Sequence, residues 1–258
     1  MKPLGRDDTQ LVSLDVGVVS TPGVDAAGAR RGNADSFAVC ADGRAAWLED
    51  TDERSVVSVG EGQLVGLASG DGDAASRSAS AVTQVLTRLW QPGRPRDPVE
   101  VLARFLMDAH TRMYWKAKER RPKRPSASAA VAWFLDGEAT WASVGEVRVW
   151  IYADAQLLRL GQPWPAGDAQ RMIAGSRDLG DDTAVHLRRG VNAGRVALQP
   201  GDRLILASPG LWRAVDEPSL AQLLEHTRGA QATAVAALER ARSRGTREAV
   251  SVVVVDAV

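Results

Sequence analysis

The first third of the chain has hydrophobic positions with the spacing of β-strands. Residues 11–20 alternate and are rich in β-branched side chains, while residues 37–40 and 64–68 are short apolar runs typical of buried strands. The polar stretch 50–54 lies between these runs and is predicted to be a loop. The pattern therefore predicts a group of strands before any helix.

Two amphipathic helices are predicted next. Residues 74–90 place Ala79, Val82 and Leu86 at steps of three and four, which forms one apolar stripe. The second helix is predicted to begin at Asp97-Pro98, because Asp97 can accept hydrogen bonds as an N-cap and proline fits the first helical position.

Strands return in the middle of the chain as two predicted hairpins. The first joins residues 129–135 and 139–144 through Asp136-Gly137, a tight-turn dipeptide. The second joins residues 147–152 and 156–160 around Ala153-Asp154. An irregular excursion, or flap, that carries one short strand or helix is predicted at about 161–195, where glycine, proline, aspartate and arginine are frequent and periodicity is weak.

The last quarter of the chain returns to regular structure. A strand is predicted at 203–207, helices around 220–224 and 233–242, and a final strand at 250–255 that is apolar enough to be central. Because strands do not alternate with single helices, a parallel doubly wound sheet is disfavoured. We expect an α+β fold, an α-β-β-α four-layer sandwich of two antiparallel sheets flanked by helix pairs, as a single domain over residues 1–258.

The composition limits which partners and metal ligands can be expected. The 258 residues carry 32 Lys and Arg against 32 Asp and Glu, so no basic excess favours nucleic-acid binding. The single cysteine and three scattered histidines leave only oxygen ligands for a metal. A polar N-terminus and the absence of an apolar run of about 20 residues argue against a signal peptide or a membrane span and favour a cytoplasmic protein.

Six short segments, in order along the chain, resemble motifs of the metal-dependent PPM (type 2C) protein phosphatases. They correspond, with departures, to the family patterns R-x-x-N-[EQ]-D, V-A-D-G-x-G-G, V-G-D-S-R, R-x-L-G, S-D-G-L-W and D-N-[IA]-[TS]. The segments are 30–36 (RRGNADS), 67–72 (LASGDG), 144–148 (VGEVR), 177–180 (RDLG), 208–212 (SPGLW) and 248–251 (EAVS). The resemblance implies an α-β-β-α sandwich, the architecture that the element order also predicts.

The resemblance also implies a site with two Mg²⁺ or Mn²⁺ ions, but most of its acids are replaced here. Ser69, next to the retained Gly70, stands at the bridging aspartate, and Pro209 at the aspartate of S-D-G. Ala34 replaces the Glu or Gln of the first motif, and Glu248 is a longer carboxylate at the aspartate of D-N. Asp35 is the retained acid.

The remaining residues that the resemblance singles out are candidates for binding phosphate or for replacing the lost metal ligands. The resemblance gives Arg30 the role of gripping the substrate phosphate, and Arg148, which is also retained, is the second candidate phosphate-binding residue. Asp71 and Asp73 are candidate substitute ligands, and either one with Asp35 and Glu248 would give three carboxylates, enough for one weakly held ion.

The preferred hypothesis is a pseudophosphatase that binds or regulates a protein partner, with a Ser/Thr-phosphorylated partner as its specific form. This hypothesis assigns no catalytic residue and predicts no cofactor. It also predicts that neither nucleic acid nor a membrane is a partner. The alternative is an active Mg²⁺- or Mn²⁺-dependent Ser/Thr phosphatase with a rearranged metal site. A third hypothesis is a structural subunit that uses only the surface of the fold.

Overall fold

The computed structural model describes residues 13–41, 44–48, 52–58, 63–71, 75–89, 96–119, 126–161 and 191–258. In chain order the strands and helices are β1 (Leu14–Thr21), β2 (Asp35–Ala41), β3 (Arg44–Leu48), β4 (Asp52–Ser58), β5 (Gln63–Asp71), α1 (Ala75–Leu89), α2 (Pro98–Glu119), β6 (Ser126–Leu135), β7 (Glu138–Val144), β8 (Arg148–Ala153), β9 (Gln156–Leu160), β10 (Asn192–Ala197), β11 (Arg203–Ala207), α3 (Pro209–Trp212), α4 (Glu217–His226), α5 (Ala230–Ser243) and β12 (Val250–Ala257).

Two antiparallel six-stranded sheets form the centre of the molecule. The strand order is β4-β1-β12-β11-β8-β9 in the first sheet and β10-β7-β6-β5-β2-β3 in the second. One hydrophobic cluster lies between the sheets and draws on strands of both. Helices α1 and α2 cover the second sheet, and α3, α4 and α5 cover the first, each group over its own apolar cluster. The layers therefore run α-β-β-α, which confirms the predicted fold class.

Several local predictions are confirmed. The Asp97 carboxylate accepts hydrogen bonds from the backbone N–H groups of Val99 (3.1 Å) and Glu100 (3.4 Å), so it is the N-cap of α2. Asp136 and Gly137 both have positive φ, as a two-residue turn between β6 and β7 requires. Strand β12 is buried along its length and pairs with both β1 and β11, so it is central.

Three boundaries differ from the prediction. Residues 52–54 are not loop, since β4 pairs in register with β1. Strand β10 begins inside the predicted excursion, which was expected to carry one short strand or helix, and extends beyond residue 195 because it pairs with β7. Both strands lie at sheet edges, where backbone pairing tolerates a polar, weakly alternating sequence. The second hairpin turns at Asp154-Ala155 rather than Ala153-Asp154, as the positive φ angles of that pair show.

Some predictions remain outside the described residues. Residues 162–190, which make up most of the predicted flap, belong to this group, and so does Asp73. The single-domain assignment for residues 1–258 stays a prediction. Among the helices that the structure describes, none is both long enough and apolar enough to cross a membrane.

Gly17 allows α5 to lie close against the first sheet. A Cβ atom at Gly17 would overlap the backbone of Ala230 and Gln231 at the start of that helix. The side-chain amide of Gln231 then bonds the neighbouring backbone, accepting from the N–H of Val18 (3.0 Å) and donating to its carbonyl (3.3 Å). The helix position on the sheet thus depends on the absence of a side chain at residue 17.

We expect Gly17→Ala to lower the free energy of unfolding by about 1–3 kcal/mol, the usual cost of overpacking a close contact. Urea unfolding followed by circular dichroism measures this change. The matched control is Gly32→Ala, because a Cβ there meets no atom within 4 Å, and we expect a change within about 0.5 kcal/mol. Equal losses in both variants would show that the close approach is not the cause.

Candidate functional site

A cleft of about 540 Å³ opens at one end of the sandwich. It forms where β2 begins, β5 ends, the β7–β8 turn bends back, and the segments entering α3 and β12 come together. The cleft is therefore built from residues far apart in sequence. Its position is set by the strand register of both sheets.

The cleft has a mixed charge. Four acids line it, namely Asp35, Asp71, Glu146 and Glu248. Three arginines also line it, namely Arg31, Arg213 and Arg247. The ionisable groups thus nearly balance, and the arrangement of these groups decides what the cleft can bind.

Asp35 is the buried acid of the cleft. Its side chain is 1% exposed, and neither carboxyl oxygen has a hydrogen-bond partner among the described residues. Burial raises the pKa of Asp35; nearby hydroxyls of Ser69, Ser208 and Ser251 oppose this, and the charge of Glu248 adds to it. These hydroxyls lie close by, but none makes a well-formed hydrogen bond to the carboxyl group.

A chain of buried polar groups holds Asp35 in place between the two sheets. The Asn33 side-chain amide donates to the Ser20 hydroxyl (2.8 Å), and its oxygen accepts from the backbone N–H of Asp35 (3.0 Å). The Ser20 and Ser251 hydroxyls share a hydrogen bond of 2.7 Å, and the Ser208 hydroxyl accepts from the Ser251 N–H at 2.9 Å. Hydroxyl and amide groups therefore form the floor beside the carboxyl group.

Arg213 joins two of the other acids. One guanidinium nitrogen donates to both oxygens of Glu248 at 2.9 Å, and the other terminal nitrogen donates to Glu146 at 2.8 Å. Burial disfavours the charged guanidinium, but the hydrogen bonds and charges of Glu248 and Glu146 outweigh it and raise the pKa of Arg213. The side chain remains 39% exposed, so it faces the cleft opening.

Trp212 lies beside the arginine bridge, the Arg213 guanidinium that joins Glu146 and Glu248. The Arg148 guanidinium lies 3.5 Å from the centre of the Trp212 ring, and the Arg213 guanidinium lies 5.3 Å from it. The indole N–H donates to the backbone carbonyl of Glu146 at 3.0 Å. Burial, together with the charge of Arg159, lowers the pKa of Arg148 to about 10. Trp212 therefore fixes the β7–β8 turn relative to α3.

Two glycines let backbone segments meet at the cleft. The Gly70 N–H donates to the Ala34 carbonyl at 2.7 Å, and a Cβ at Gly70 would overlap the backbone of Ala75. A Cβ at Gly210 would overlap the Ala249 carbonyl. The walls of the cleft are thus close-packed backbone.

Most of the residues singled out from the sequence meet in this cleft. Ala34, Asp35, Ser69, Gly70, Asp71, Pro209 and Glu248 all line it. Arg30 is exposed outside the lining, and Arg148 stacks on Trp212 instead. The roles of all these residues remain predictions.

The sequence does not predict the arginine bridge. Glu146 lies within the V-G-E-V-R segment, but its pairing with Arg213 spans 67 residues and the pairing of Arg213 with Glu248 spans 35. Local spacing carries no sign of such a pairing. A basic residue directly after the S-P-G-L-W segment was the available signal.

The described side chains do not form a ready metal site. Within the described residues, no three His, Cys, Asp or Glu side chains are grouped closely enough to hold a metal ion. Two of the four acids are instead engaged by a guanidinium. A site for two Mg²⁺ or Mn²⁺ ions, which the resemblance to the phosphatases implies, therefore does not fit this arrangement of residues.

Comparison with known proteins identifies the fold. The S. agalactiae serine/threonine phosphatase superposes with a TM-score of 0.72 at 14% identity, covering 95% of this chain and 100% of that one. The catalytic domain of the serine/threonine protein phosphatase PstP, solved with 2 manganese ions, gives 0.71 at 18% identity, with coverage of 96% and 99%. PppA, a regulatory component of the T6SS in Pseudomonas aeruginosa, gives 0.63 at 18%, with coverage of 76% and 86%.

The chain therefore has the α-β-β-α fold of the bacterial PPM-type Ser/Thr phosphatases. The sequence matches no family model and no curated protein. At these identities the likeness defines the architecture, and the chemistry of the cleft has to be argued from its own residues.

We expect Asp35→Asn to stabilise the protein more at pH 8 than at pH 5. The folded state keeps Asp35 protonated to a higher pH than the unfolded chain does, so the wild type loses stability as pH rises from the unfolded pKa through the folded one. Asparagine has the same shape and no charge to bury. A gain of at least about 2–4 °C in Tm at pH 8 corresponds to ~1 kcal/mol in a domain of this size.

Thermal unfolding in EDTA at the two pH values measures this difference. The control is Asp216→Asn at the exposed N-cap of α4, whose carboxylate accepts from the Ser219 N–H at 2.8 Å. That hydrogen bond lowers the pKa of Asp216 below its ordinary value of 3.8, so any loss of stability in the control shrinks only below that pH and should be nearly the same at pH 5 and pH 8. An Asp35→Asn effect that does not change with pH would contradict the burial argument.

Proposed function

We propose that this protein is a pseudophosphatase of the PPM fold that binds a Ser/Thr-phosphorylated protein partner without hydrolysing it. One observation carries the proposal: the guanidinium of Arg213 lies between Glu146 and Glu248 in the cleft lined by most of the residues that match the family's metal-site motifs. The Arg213 guanidinium therefore already neutralises part of the negative charge of these two carboxylates. Its described acids are not grouped to hold another.

The replaced positions support the same proposal. Ser69 offers a hydroxyl where the family has a bridging aspartate, and Pro209 offers no ligand side chain at all. When bound, a pair of divalent ions activates a water and stabilises the leaving oxygen in phosphate hydrolysis. Such ions require several carboxylate or carbonyl oxygens in a tight shell. A serine and a proline at two of those places remove that shell.

Binding of a phosphoryl group requires donors that reach the cleft. Arg31 and Arg247 line the cleft and are exposed, so their guanidinium groups are accessible to a ligand. Arginine is the side chain best suited to two-point contact with phosphate. Arg30, the residue that the family pattern favours, lies next to Arg31 and remains a candidate at the cleft rim.

A regulatory role is part of this proposal. PppA, whose fold this chain shares in part, is described as a regulatory component of the T6SS in Pseudomonas aeruginosa. A domain that recognises a phosphorylated partner without hydrolysis can act by shielding the phosphate or by assembling proteins. A cytoplasmic location remains a prediction from the sequence alone.

An active phosphatase is the second candidate, and one observation favours it. Asp35, Asp71 and Glu248 line the same cleft, and the carboxyl oxygens of Asp35 have no hydrogen-bond partner among the described residues. A buried, unpaired carboxyl group suits a cation. In this reading Mn²⁺ or Mg²⁺ binds after the side chains rearrange, and changes at Asp35 or Glu248 abolish turnover.

Hydrolysis of p-nitrophenyl phosphate and of a phosphothreonine peptide with excess Mn²⁺ separates the two candidates. We expect no turnover above the buffer rate, with the PstP catalytic domain as the active control under the same conditions. Turnover that Asp35→Asn and Glu248→Gln each abolish would establish the active phosphatase instead.

Phosphopeptide binding tests the positive half of the proposal. In an NMR titration with a phosphothreonine peptide library in EDTA, we expect shifts in residues that line the cleft and none with the unphosphorylated peptides. Arg31→Ala and Arg247→Ala should each weaken binding about tenfold or more, since a hydrogen bond to a charged group contributes ~1.5–3 kcal/mol. Arg104→Ala, at the exposed pair with Glu100 on α2, is the matched control. Binding that does not depend on phosphorylation would falsify this half.

A further inference from the structure

We infer that Arg213 is the resident cation of the cleft and that it excludes a divalent metal by holding Glu146 and Glu248. The inference deepens the proposed function, because it rests on the cleft being the site at which this protein differs from a metal-dependent enzyme. It assigns that difference to one side chain rather than to missing acids alone.

The geometry of the bridge supports the assignment. The two terminal guanidinium nitrogens donate three hydrogen bonds of 2.8–2.9 Å, two to Glu248 and one to Glu146. Both Glu248 oxygens are engaged, and the bonded Glu146 carboxylate is only 16% exposed. A divalent ion that used these carboxylates would have to displace the guanidinium from both.

The positive charge of Arg213 also opposes the binding of a divalent ion. A guanidinium within hydrogen-bond distance of both carboxylates neutralises one unit of their charge and repels a second cation placed among them. Trp212 adds a further constraint, because its ring lies 5.3 Å from the Arg213 guanidinium and its N–H is bonded to the carbonyl of Glu146. Arg213 is therefore held in the position where it competes with a metal.

Asp35 supplies the independent observation. It lines the same cleft, is 1% exposed, and leaves both carboxyl oxygens without a hydrogen-bond partner among the described residues. An unpartnered carboxyl group that lines the same cleft as the two carboxylates held by Arg213 is one more ligand available to a hard cation. Removal of Arg213 would release Glu146 and Glu248, which could then move together with Asp35 toward one ion.

The experiment compares Mn²⁺ binding in EDTA-treated, dialysed proteins. Free Mn²⁺ is measured by electron paramagnetic resonance, and the Tm is measured with and without Mn²⁺. We expect Arg213→Met to bind one Mn²⁺ at least tenfold more tightly than the wild type and to gain Tm with added Mn²⁺. Arg213→Met with Glu248→Gln should return to the wild-type affinity, because one of the released carboxylates is then neutral.

Two further variants separate charge from side-chain size. Arg213→Lys keeps a positive charge in the cleft, so its Mn²⁺ affinity should stay close to that of the wild type. Arg195→Met removes an arginine from the exposed pair with Asp97 and should leave Mn²⁺ affinity unchanged. Should Arg213→Met fail to fold, as judged by circular dichroism, Arg213→Gln carries the same expectation.

The outcomes separate this inference from the proposed function. If a folded Arg213→Met or Arg213→Gln binds Mn²⁺ no more tightly than the wild type, the inference is wrong, while a wild type without turnover still supports the pseudophosphatase. If Arg213→Lys gains as much affinity as Arg213→Met, the exclusion does not depend on charge and the inference is also wrong. If the wild type itself binds Mn²⁺ tightly and hydrolyses phosphothreonine, both are wrong.

Discussion

The buried carboxyl group of Asp35 is the constraint around which the cleft is arranged. Burial of a carboxyl group that is 1% exposed and lacks a hydrogen-bond partner among the described residues disfavours its ionisation and raises the pKa of Asp35, and the charge of Glu248 raises it further. The surrounding residues meet this constraint with neutral polar groups. Asn33 and Ser251 belong to a hydrogen-bonded chain that crosses between the sheets, so the floor of the cleft remains polar without adding another acid.

The charges of Glu146 and Glu248 are balanced by a cation rather than by neutral polar groups. Arg213 brings a positive charge from the segment after α3 to carboxylates on the β7–β8 turn and on the approach to β12. The same contact ties together three segments that the strand order alone leaves loosely connected. Because Trp212 packs against Arg148 and bonds the Glu146 carbonyl, the charge balance and the packing of this end of the sandwich depend on each other.

The sequence predicted the architecture well because its signals are local. Apolar alternation, the Asp97 cap and the Asp136-Gly137 turn each lie within a few residues, and together they placed most helices and strands. The sequence does not predict the edge strand β4, and it predicts β10 only as one short strand or helix in an excursion, because backbone pairing rather than a side-chain pattern holds both strands. Most of the residues expected at the site line one cleft, whereas Arg30 and Arg148 lie outside its lining. The arginine bridge could not be predicted, because Arg213 meets its partners only after both sheets have formed.

A guanidinium and a pair of divalent ions satisfy the same carboxylates in different ways. Both neutralise negative charge and draw loops together, so either can maintain the shape of the cleft. A guanidinium carries one delocalised charge, has no vacant coordination position and cannot lower the pKa of a bound water as a metal does. Under the proposed function, an arginine in place of the ions would preserve the form of the cleft while removing the group that activates the attacking water. That separation of shape from reactivity would be the physical basis for recognising a phosphoryl group and leaving it intact.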